Sequence, residues 1–259
     1  MKIHLDEVLS TNTWALEQIK EGNPLQDGTV VWTTRQTAGR GQVGNTWESE
    51  ADKNLTFSLV LRPTYLAPRD QFAISEIAAL SVLKTLCSVL PSRYAKHLSV
   101  KWPNDIYVGD DKICGMLIEN QLQGTEFAYS IIGIGININQ EKWVGGAPNP
   151  TSVKLLSGKE TPIEPILDEV VSRIVTASEA LCANPEAMAA KVHDDFVEHL
   201  YRRKGFHPYV DVKSGEPFMG KIREIEPSGR LQMEYKTGEV RVYGFKEVHF
   251  VLPCGVTKE

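Results

Sequence analysis

Apolar side chains recur every three or four positions between residues 69 and 90, which is the spacing of an α-helix. The apolar positions in this segment are Phe72, Ile74, Ile77, Leu80, Leu83, Leu86 and Leu90. Residues 163–182 and 185–202 have amphipathic helical spacing as well. A shorter helix is predicted to begin at Ser10 or Thr11, either of which can cap it, and to end near Glu21.

Short runs of β-branched and other apolar residues between these helices predict strands. They cover residues 29–34, 54–62, 100–102, 105–108, 113–120 and 127–136. After residue 205 the pattern changes to short alternating segments with turns at 214–215, 227–229 and 237–238, which is typical of a small β-barrel. We therefore predict a domain of helices and strands over residues 1–205 and an all-β domain over residues 206–259.

Composition and charge exclude several classes of protein. The 259 residues are 42% hydrophobic and 24% charged, which is ordinary for a globular protein and excludes disordered, collagen-like and coiled-coil chains. The net charge of −5 gives no basic face, so we expect no DNA partner. The four cysteines are far apart and form no C-x-x-C pair, which excludes a zinc knuckle and does not favour a disulfide framework.

The N-terminal segment MKIHLDEV lacks the apolar run of a signal peptide. The most apolar stretch, residues 72–90, is interrupted by Glu76 and Lys84, so we interpret it as a core helix and not as a membrane span. We therefore expect no membrane partner and a cytoplasmic location.

The first segment with candidate chemistry is the glycine-rich loop 39–44, which matches G-x-G-x-x-G. A dinucleotide site would need a helix directly after the glycines, whereas a polar loop and another strand follow here. Two interpretations stay open. The loop is either a mobile surface loop or a flap whose amides, together with Arg40, close over an anion.

Two further segments are unusual. Residues 101–105, KWPND, contain a good Pro-Asn-Asp turn, but a lysine at the end of an apolar strand needs an anionic partner. Lys112, across the following hairpin, either adds a second positive charge there or is merely solvated. Residues 133–137, GIGIN, put two glycines inside a strand, which indicates either a bulge or close approach of a ligand or another backbone.

Together these segments resemble the biotin protein ligases, also called biotin–acetyl-CoA-carboxylase ligases. The matching elements, in chain order, are STN at 10–12, QTA at 36–38 leading into the glycine loop with Trp47, KWPND at 101–105, KICGMLIE at 112–119, GIGIN at 133–137 and NPTSV at 149–153. The resemblance covers about residues 5–205, and the tail is similar to the small SH3-like domain of that family.

The resemblance implies an α+β fold, in which a mixed sheet with helices, like the catalytic core of class II aminoacyl-tRNA synthetases, precedes an SH3-like β-barrel. It also implies a two-step reaction. Biotin and ATP give biotinyl-5′-AMP and pyrophosphate with the help of Mg²⁺, and the biotinyl group then passes to one lysine of a biotin carboxyl carrier protein. The protein would act as a monomer or a homodimer.

The resemblance assigns roles to individual residues. Lys101 and Arg40 would be catalytic, because a carboxylate that attacks a polyphosphate needs fixed cations. The residues expected to bind biotin are Ser10, Thr11, Asn12, Gln36, Gly39, Arg40, Gly41, Gln42, Lys101 and Gly115. The residues expected to bind ATP or the adenylate are Arg40, Trp47, Asn104, Lys112 and Asn137. The Mg²⁺ ligands and the base for the acceptor lysine stay unassigned, although Asp105 is geometrically possible as that base.

The sequence departs from the family in two respects. Some members carry an N-terminal helix-turn-helix repressor domain, whereas the motifs here begin at Ser10, so we expect no repressor role. Some members have two arginines where this loop has Gln42 and Val43, which puts retention of the adenylate in doubt.

Two alternatives remain: a lipoate or octanoate ligase, which would need a longer apolar tunnel, and a non-catalytic biotin- or carrier-binding module, which would not need two cations. The acidic segment 193–199 is predicted to be a solvated helix face, not a metal site.

Overall fold

The computed structural model describes residues 1–23, 25–42, 44–145 and 149–252. Within those ranges the α-helices are α1 (Thr11–Lys20), α2 (Phe72–Val89), α3 (Ser92–Ala95), α4 (Val153–Ser157), α5 (Ile163–Ala183) and α6 (Pro185–Glu198). Local signals set several ends. The Ser10 hydroxyl caps α1, Ser152 caps α4, and Asn184 caps α6, whose first residue is a proline.

A seven-stranded sheet forms the centre of the larger part of the molecule. Its strands are β1 (Lys2–His4), β2 (Thr29–Thr33), β5 (Leu55–Leu61), β6 (Leu98–Lys101), β7 (Asp105–Val108), β8 (Asp111–Gln123) and β9 (Glu126–Ile136). Their spatial order is β1-β2-β5-β9-β8-β7-β6. β1 and β2 are parallel and the other pairs are antiparallel, so the predicted mixed sheet is confirmed. Two very short strands, β3 (Gly39–Arg40) and β4 (Thr46–Trp47), form a separate hairpin.

Helices cover both faces of this sheet, which explains why β5 is buried at every position. Leu59 faces the main core with α2 and α5, whereas Val60 faces a smaller core with α1. Helix α2 is apolar around most of its circumference because it contacts α5, α6 and β6. Residues 68–89 form a segment long and apolar enough to cross a membrane. However, 72% of its most apolar stretch is buried inside the protein, as expected for a core helix.

The C-terminal strands form a second, antiparallel sheet. They are β10 (His207–Asp211), β11 (Pro217–Ile225), β12 (Leu231–Tyr235), β13 (Val240–Tyr243) and β14 (Val248–Phe250), in the order β13-β12-β11-β10-β14. No pairing between β13 and β14 is present among the described residues, so closure of the predicted barrel stays a prediction. The apolar side chains of this sheet join the main core, and the domain boundary at residue 205 also stays a prediction.

Some predicted elements differ in extent. The last predicted helix ends at Glu198 and not at Arg202, because the chain that follows pairs with β6. There the Val100 amide donates to the His199 carbonyl and the Tyr201 amide donates to the Val100 carbonyl. Helix α2 begins at Phe72, after a 3₁₀ turn over Pro68–Asp70. The three described cysteines, Cys87, Cys114 and Cys182, are free, and Cys254 lies outside the described residues.

Candidate active site

The α1 face of the sheet is hollowed out because small side chains replace large ones along two adjacent strands. On β5 this face carries Val60, then Ser58 and Thr56; on β9, Ile131 is followed by Gly133 and Gly135. The register pairs these positions, Val60 with Ile131, Ser58 with Gly133 and Thr56 with Gly135. The small apolar core therefore gives way to a cavity of about 790 Å³.

Nearly all the predicted site residues line this cavity. They are Ser10, Thr11, Asn12, Gln36, Arg40, Gly41, Gln42, Trp47, Lys101, Asn104, Lys112, Gly115 and Asn137. Gly39 does not line it but lies behind the wall, paired with Trp47, where a Cβ atom would overlap the Trp47 carbonyl. Val43 lies outside the described residues. The loop is thus part of the cavity wall, as the flap interpretation requires.

A hydrogen-bonding network fills the corner below α1, and it is neutral overall because its carboxylate, Glu119, is ion-paired with Arg40. Asn12 Nδ2 donates to the Leu117 backbone carbonyl at 3.1 Å and to Glu119 Oε2 at 2.9 Å. The Ser58 hydroxyl donates to Asn12 Oδ1 at 2.5 Å. Gln36 Oε1 accepts from the Thr11 amide at 3.0 Å. Asn12 is therefore committed to the protein. In contrast, Gln36 Nε2 makes no hydrogen bond to any residue that the structure describes, so it is free to meet a ligand.

Asn12 can occupy this corner only because Gly133 lies beneath it. A Cβ atom on Gly133 would overlap the Asn12 side-chain amide. Gly135 and its register partner Gly115 play the same part for Trp47: a Cβ on Gly135 would overlap the indole, and one on Gly115 would lie 3.0 Å from Trp47 Cζ3. The GIGIN glycines therefore admit two side chains, and their register is regular, so they form no bulge. Both glycines also line the cavity, so close approach of a ligand stays a prediction.

A cluster of two lysines and one aspartate forms the charged corner of the cavity. Lys112 Nζ lies 2.7 Å from Asp105 Oδ1, whereas Lys101 Nζ lies 3.9 Å from Asp105 Oδ2. The Lys101 side chain is 18% exposed and lies 4.9 Å from the centre of the Phe250 ring. Burial lowers the pKa of Lys101, an effect that Asp105 opposes and Lys112 adds to.

This cluster decides between the two interpretations of Lys112. Its side chain is 27% exposed, lines the cavity and is paired with Asp105, so it is part of the site and not simply solvated. One carboxylate between two ammonium groups leaves a net positive charge in a poorly hydrated corner. Such a corner is suited to an anion, and the longer contact makes Lys101 the more available cation.

Arg40 extends from the β3–β4 hairpin to a carboxylate on β8. Its Nη2 lies 2.8 Å from Glu119 Oε1, and its Nη1 donates to Thr13 Oγ1 at 3.2 Å. Glu119 thus joins Arg40 to Asn12 and holds the hairpin against α1. No role for Glu119 is predicted from the sequence, although it is the last residue of the KICGMLIE segment, 112–119.

The two predicted asparagines behave differently. The Asn104 side-chain amide nitrogen donates to the Met116 backbone carbonyl, and the Asn104 backbone carbonyl accepts from the Met116 backbone amide at 2.9 Å, so Asn104 ties the KWPND turn to β8. The Asn137 amide nitrogen donates to the Thr151 carbonyl at 2.9 Å, but its buried Oδ1 has no partner among the described residues. Asn137 lines the cavity, but this oxygen is buried behind the wall, so adenine binding by Asn137 stays a prediction.

Sequence reasoning missed the residues that the second sheet contributes. Val212, Lys246, Val248, His249, Phe250 and Leu252 line the cavity, and so do Glu48 and Trp143 from the first part of the chain. Lys246 makes no ion pair with any described residue. No local motif marks these positions, because they approach the KWPND segment only through packing: Trp102 Nε1 donates to the Gly229 carbonyl at 2.9 Å.

Comparison with known proteins identifies the family. The sequence model of the biotin/lipoate A/B protein ligase family matches residues 6–137, just over half of the chain. The human biotin–protein ligase is 30% identical over 246 residues, which are 90% of this chain and 32% of that protein. The bifunctional ligase/repressor BirA of Bacillus spizizenii is 34% identical over 140 residues, 54% of this chain and 41% of the relative. The chain thus spans well under half the length of these two relatives.

A relative of similar length and several solved structures cover most of the chain. The biotin–[acetyl-CoA-carboxylase] ligase of Mycobacterium tuberculosis is 27% identical over 93% of this chain and 85% of its own length. The biotin protein ligase of Aquifex aeolicus, solved in complex with biotin and ATP, superposes with a TM-score of 0.75 at 24% identity and covers 97% of this chain and 99% of its own. The fold is therefore that of biotin protein ligases, and the chain belongs to the biotin/lipoate A/B protein ligase family.

Proposed function

We propose that the protein is an ATP-dependent biotin protein ligase. One observation carries the proposal: a single cavity joins a neutral hydrogen-bonding corner to a corner with excess positive charge. The first suits an uncharged cyclic urea, and the second suits carboxylate and phosphate groups. The names of two relatives support the same activity. They are the Mycobacterium tuberculosis biotin–[acetyl-CoA-carboxylase] ligase, of which this chain covers 85%, and the human biotin–protein ligase, of which it covers 32%.

The polar corner favours biotin over lipoate within this family. Thr11, Asn12, Gln36 and Ser58 surround the inner end of the cavity with amides and hydroxyls. Most of these groups are paired with one another, so the discrimination rests on Gln36 Nε2, which a dithiolane or an alkyl chain would leave without a partner, at a cost of roughly 1–3 kcal/mol.

In the first step, a biotin carboxylate oxygen attacks the α-phosphorus of ATP, and the bond between that phosphorus and the β-phosphate oxygen breaks to release pyrophosphate. Both reactants are anions, so Lys101 and Lys112 hold the carboxylate and the α-phosphate against their mutual repulsion. In the second step, the amine of the acceptor lysine attacks the acyl carbon and AMP leaves. The base that takes the amine proton stays unassigned, with Asp105 as the candidate carboxylate.

Mg²⁺ fits this site as a companion of the nucleotide. No three His, Cys, Asp or Glu side chains gather as a metal cage in the part of the chain that the structure describes. Mg²⁺ in nucleotide sites is commonly held by substrate phosphates plus one or two carboxylates, and Asp105 is the carboxylate between the two cavity lysines. The ion would supply charge neutralisation of the polyphosphate.

The proposed acceptor is a biotin carboxyl carrier protein, and the proposed compartment is the cytoplasm, with a monomer or a homodimer as the active form. The test is to incubate the purified protein with biotin, ATP and Mg²⁺ and measure the mass of the bound ligand. Biotinyl-5′-AMP is expected. Bound lipoyl-AMP after competition with equal lipoate, or no adenylate at all, would contradict the proposal.

A further inference from the structure

The Glu48 carboxylate joins two loops that flank the cavity. Glu48 follows directly after β4, and its Oε1 accepts from the Val144 amide at 2.8 Å while its Oε2 accepts from the Gly145 amide at 2.6 Å. Both Glu48 and Gly145 line the cavity, as does Trp143 beside them. One side chain therefore connects the hairpin of residues 39–48 to the loop of residues 141–145.

Among the residues that the structure describes, the backbone of Val144 and Gly145 is hydrogen-bonded only to Glu48. Val144 is 97% exposed, so its side chain contributes no packing, whereas the neighbouring Trp143 is half-buried. The base of the loop is held separately by Gln140, whose Oε1 accepts from the Glu50 amide at 3.0 Å and whose Nε2 donates to the Lys142 carbonyl at 2.8 Å.

The glycine at position 145 is part of the same arrangement. A Cβ atom there would lie 2.6 Å from Glu48 Oε2, where no carboxylate oxygen can stay. On the other side of Glu48, the Trp47 indole lies over Gly115 and Gly135 at the floor of the cavity. Glu48 is thus placed between the Trp47 indole and the backbone amides of Val144 and Gly145.

We propose that Glu48 is a positioning residue that latches the 141–145 loop to the 39–48 hairpin, so that both close over the biotinyl-AMP intermediate together. The inference rests on the proposed function and extends it to retention of the intermediate. Arg40, the hairpin cation at the cavity, is itself paired with Glu119. A link between the two loops therefore supplies retention that charge on the hairpin alone does not.

The test compares the release rate of preformed biotinyl-AMP from the wild type and from Glu48→Ala, Glu48→Gln, Gly145→Ala and the Glu48→Ala/Gly145→Ala double variant. Glu48→Ala removes both bonds and is expected to release the adenylate about tenfold faster. Gly145→Ala displaces Oε2 from the Gly145 amide but does not meet Oε1, so its effect should be smaller. The double variant should be no faster than Glu48→Ala alone, because both changes act on one link. Glu48→Gln keeps an acceptor oxygen without the charge, so its release rate should lie between those of the wild type and Glu48→Ala.

Glu50→Ala is the matched control. It removes an exposed carboxylate two residues away but keeps the backbone bond to Gln140, so its release rate should stay within twofold of the wild type.

Amide hydrogen exchange in the ligand-free protein provides a readout that does not depend on activity. The Val144 and Gly145 amides should exchange slowly in the wild type and in Glu50→Ala and fast in Glu48→Ala, while exchange in β9 is unchanged. Equal exchange at residues 144 and 145, release within twofold in Glu48→Ala, or multiplied effects in the double variant would each overturn the latch. A wild type that binds no biotinyl-AMP would overturn the proposed function instead, and the exchange measurement would still decide whether the link exists.

Discussion

Lys101 combines a charge with a poorly hydrated position, and the local structure explains how. Strand β6 places the lysine between the Tyr107 and Phe250 rings, and Asp105 approaches its ammonium group only to 3.9 Å. A cation in such a place is costly for the folded protein and gains more from a bound anion than a solvated lysine would. Replacing Lys101 should therefore reduce the catalytic rate without reducing the stability of the fold.

We expect Lys101→Ala to reduce biotin adenylation by at least about 10²-fold, because a charge-assisted bond that develops in the transition state is lost. The melting temperature should change little, since the variant removes a charge that the fold holds at a cost. Pyrophosphate exchange and thermal unfolding of the same preparation measure both effects. Activity within threefold of the wild type would contradict the role of Lys101.

The pH profile tests the same residue in a second way. Burial lowers the pKa of Lys101 below its usual 10.5, so in the free enzyme the ammonium group loses its proton at lower pH than an ordinary lysine does. The kcat/KM of adenylation should therefore fall on the alkaline side, and the fall should move to higher pH in Lys101→Arg, because a guanidinium stays charged. An identical alkaline limb in the two proteins would show that another group titrates.

At the scale of elements, a buried ion pair joins α2 to α6. His193 Nδ1 lies 2.7 Å from Glu76 Oε1, and the Glu76 side chain is only 4% exposed. The bond to Glu76 raises the pKa of His193, and burial raises the pKa of Glu76. Residues 193–199 are therefore not the wholly solvated face that the sequence predicted, although they form no metal site within the described residues.

We expect His193→Ala to lower the free energy of unfolding by about 1–3 kcal/mol near pH 6, because it leaves a buried carboxyl without its partner. The pKa of His193 is raised in the folded state above the unfolded value of 6.5. The stabilisation of the fold by this pair is therefore fully present below about pH 6.5 and is lost as the pH rises through the pKa of the folded state. Urea unfolding between pH 5 and 9 measures this. If Glu76→Gln/His193→Ala were no more stable than His193→Ala, the unpaired carboxyl would not be the cause.

The elements predicted from the sequence are those whose patterns are local. The helical spacing in 72–89 and the apolar runs of β5 and β9 are each fixed by their own residues. The end of α6 could not be predicted because pairing of the next residues with β6 determines it. Hairpin β8–β9 extends beyond its predicted apolar core through Gln121 and Gln123, which are exposed and carry no pattern.

At the scale of the whole molecule, two sheets complete one cavity. The site motifs at 10–12, 36–47, 101–119 and 133–137 could be predicted because each is a distinctive segment, and the family they indicate is confirmed. The residues that pack against these motifs could not be predicted from the sequence. Gly133 and Gly135 admit Asn12 and Trp47 only through strand register, and the wall from the second sheet, which begins at Val212, is far from every one of these motifs in sequence.

Lys246 tests the contribution of the second sheet. Lys246→Ala should raise the KM for ATP about five- to tenfold, because a cavity cation without a carboxylate partner among the described residues is free to meet a phosphate. The dissociation constant for biotin should not change. Lys236→Ala, in the exposed turn between β12 and β13, is the control, and an equal KM for ATP in both variants would assign Lys246 to the solvent.

The central claim, that this cavity activates biotin, is tested most directly by pyrophosphate exchange. The protein is incubated with labelled pyrophosphate, ATP and Mg²⁺, and with biotin, lipoate or neither. We predict label in ATP only when biotin is present, since the neutral corner holds the ureido ring and the lysine cluster brings the carboxylate to the α-phosphate. Exchange that depends on lipoate and not on biotin would contradict the account.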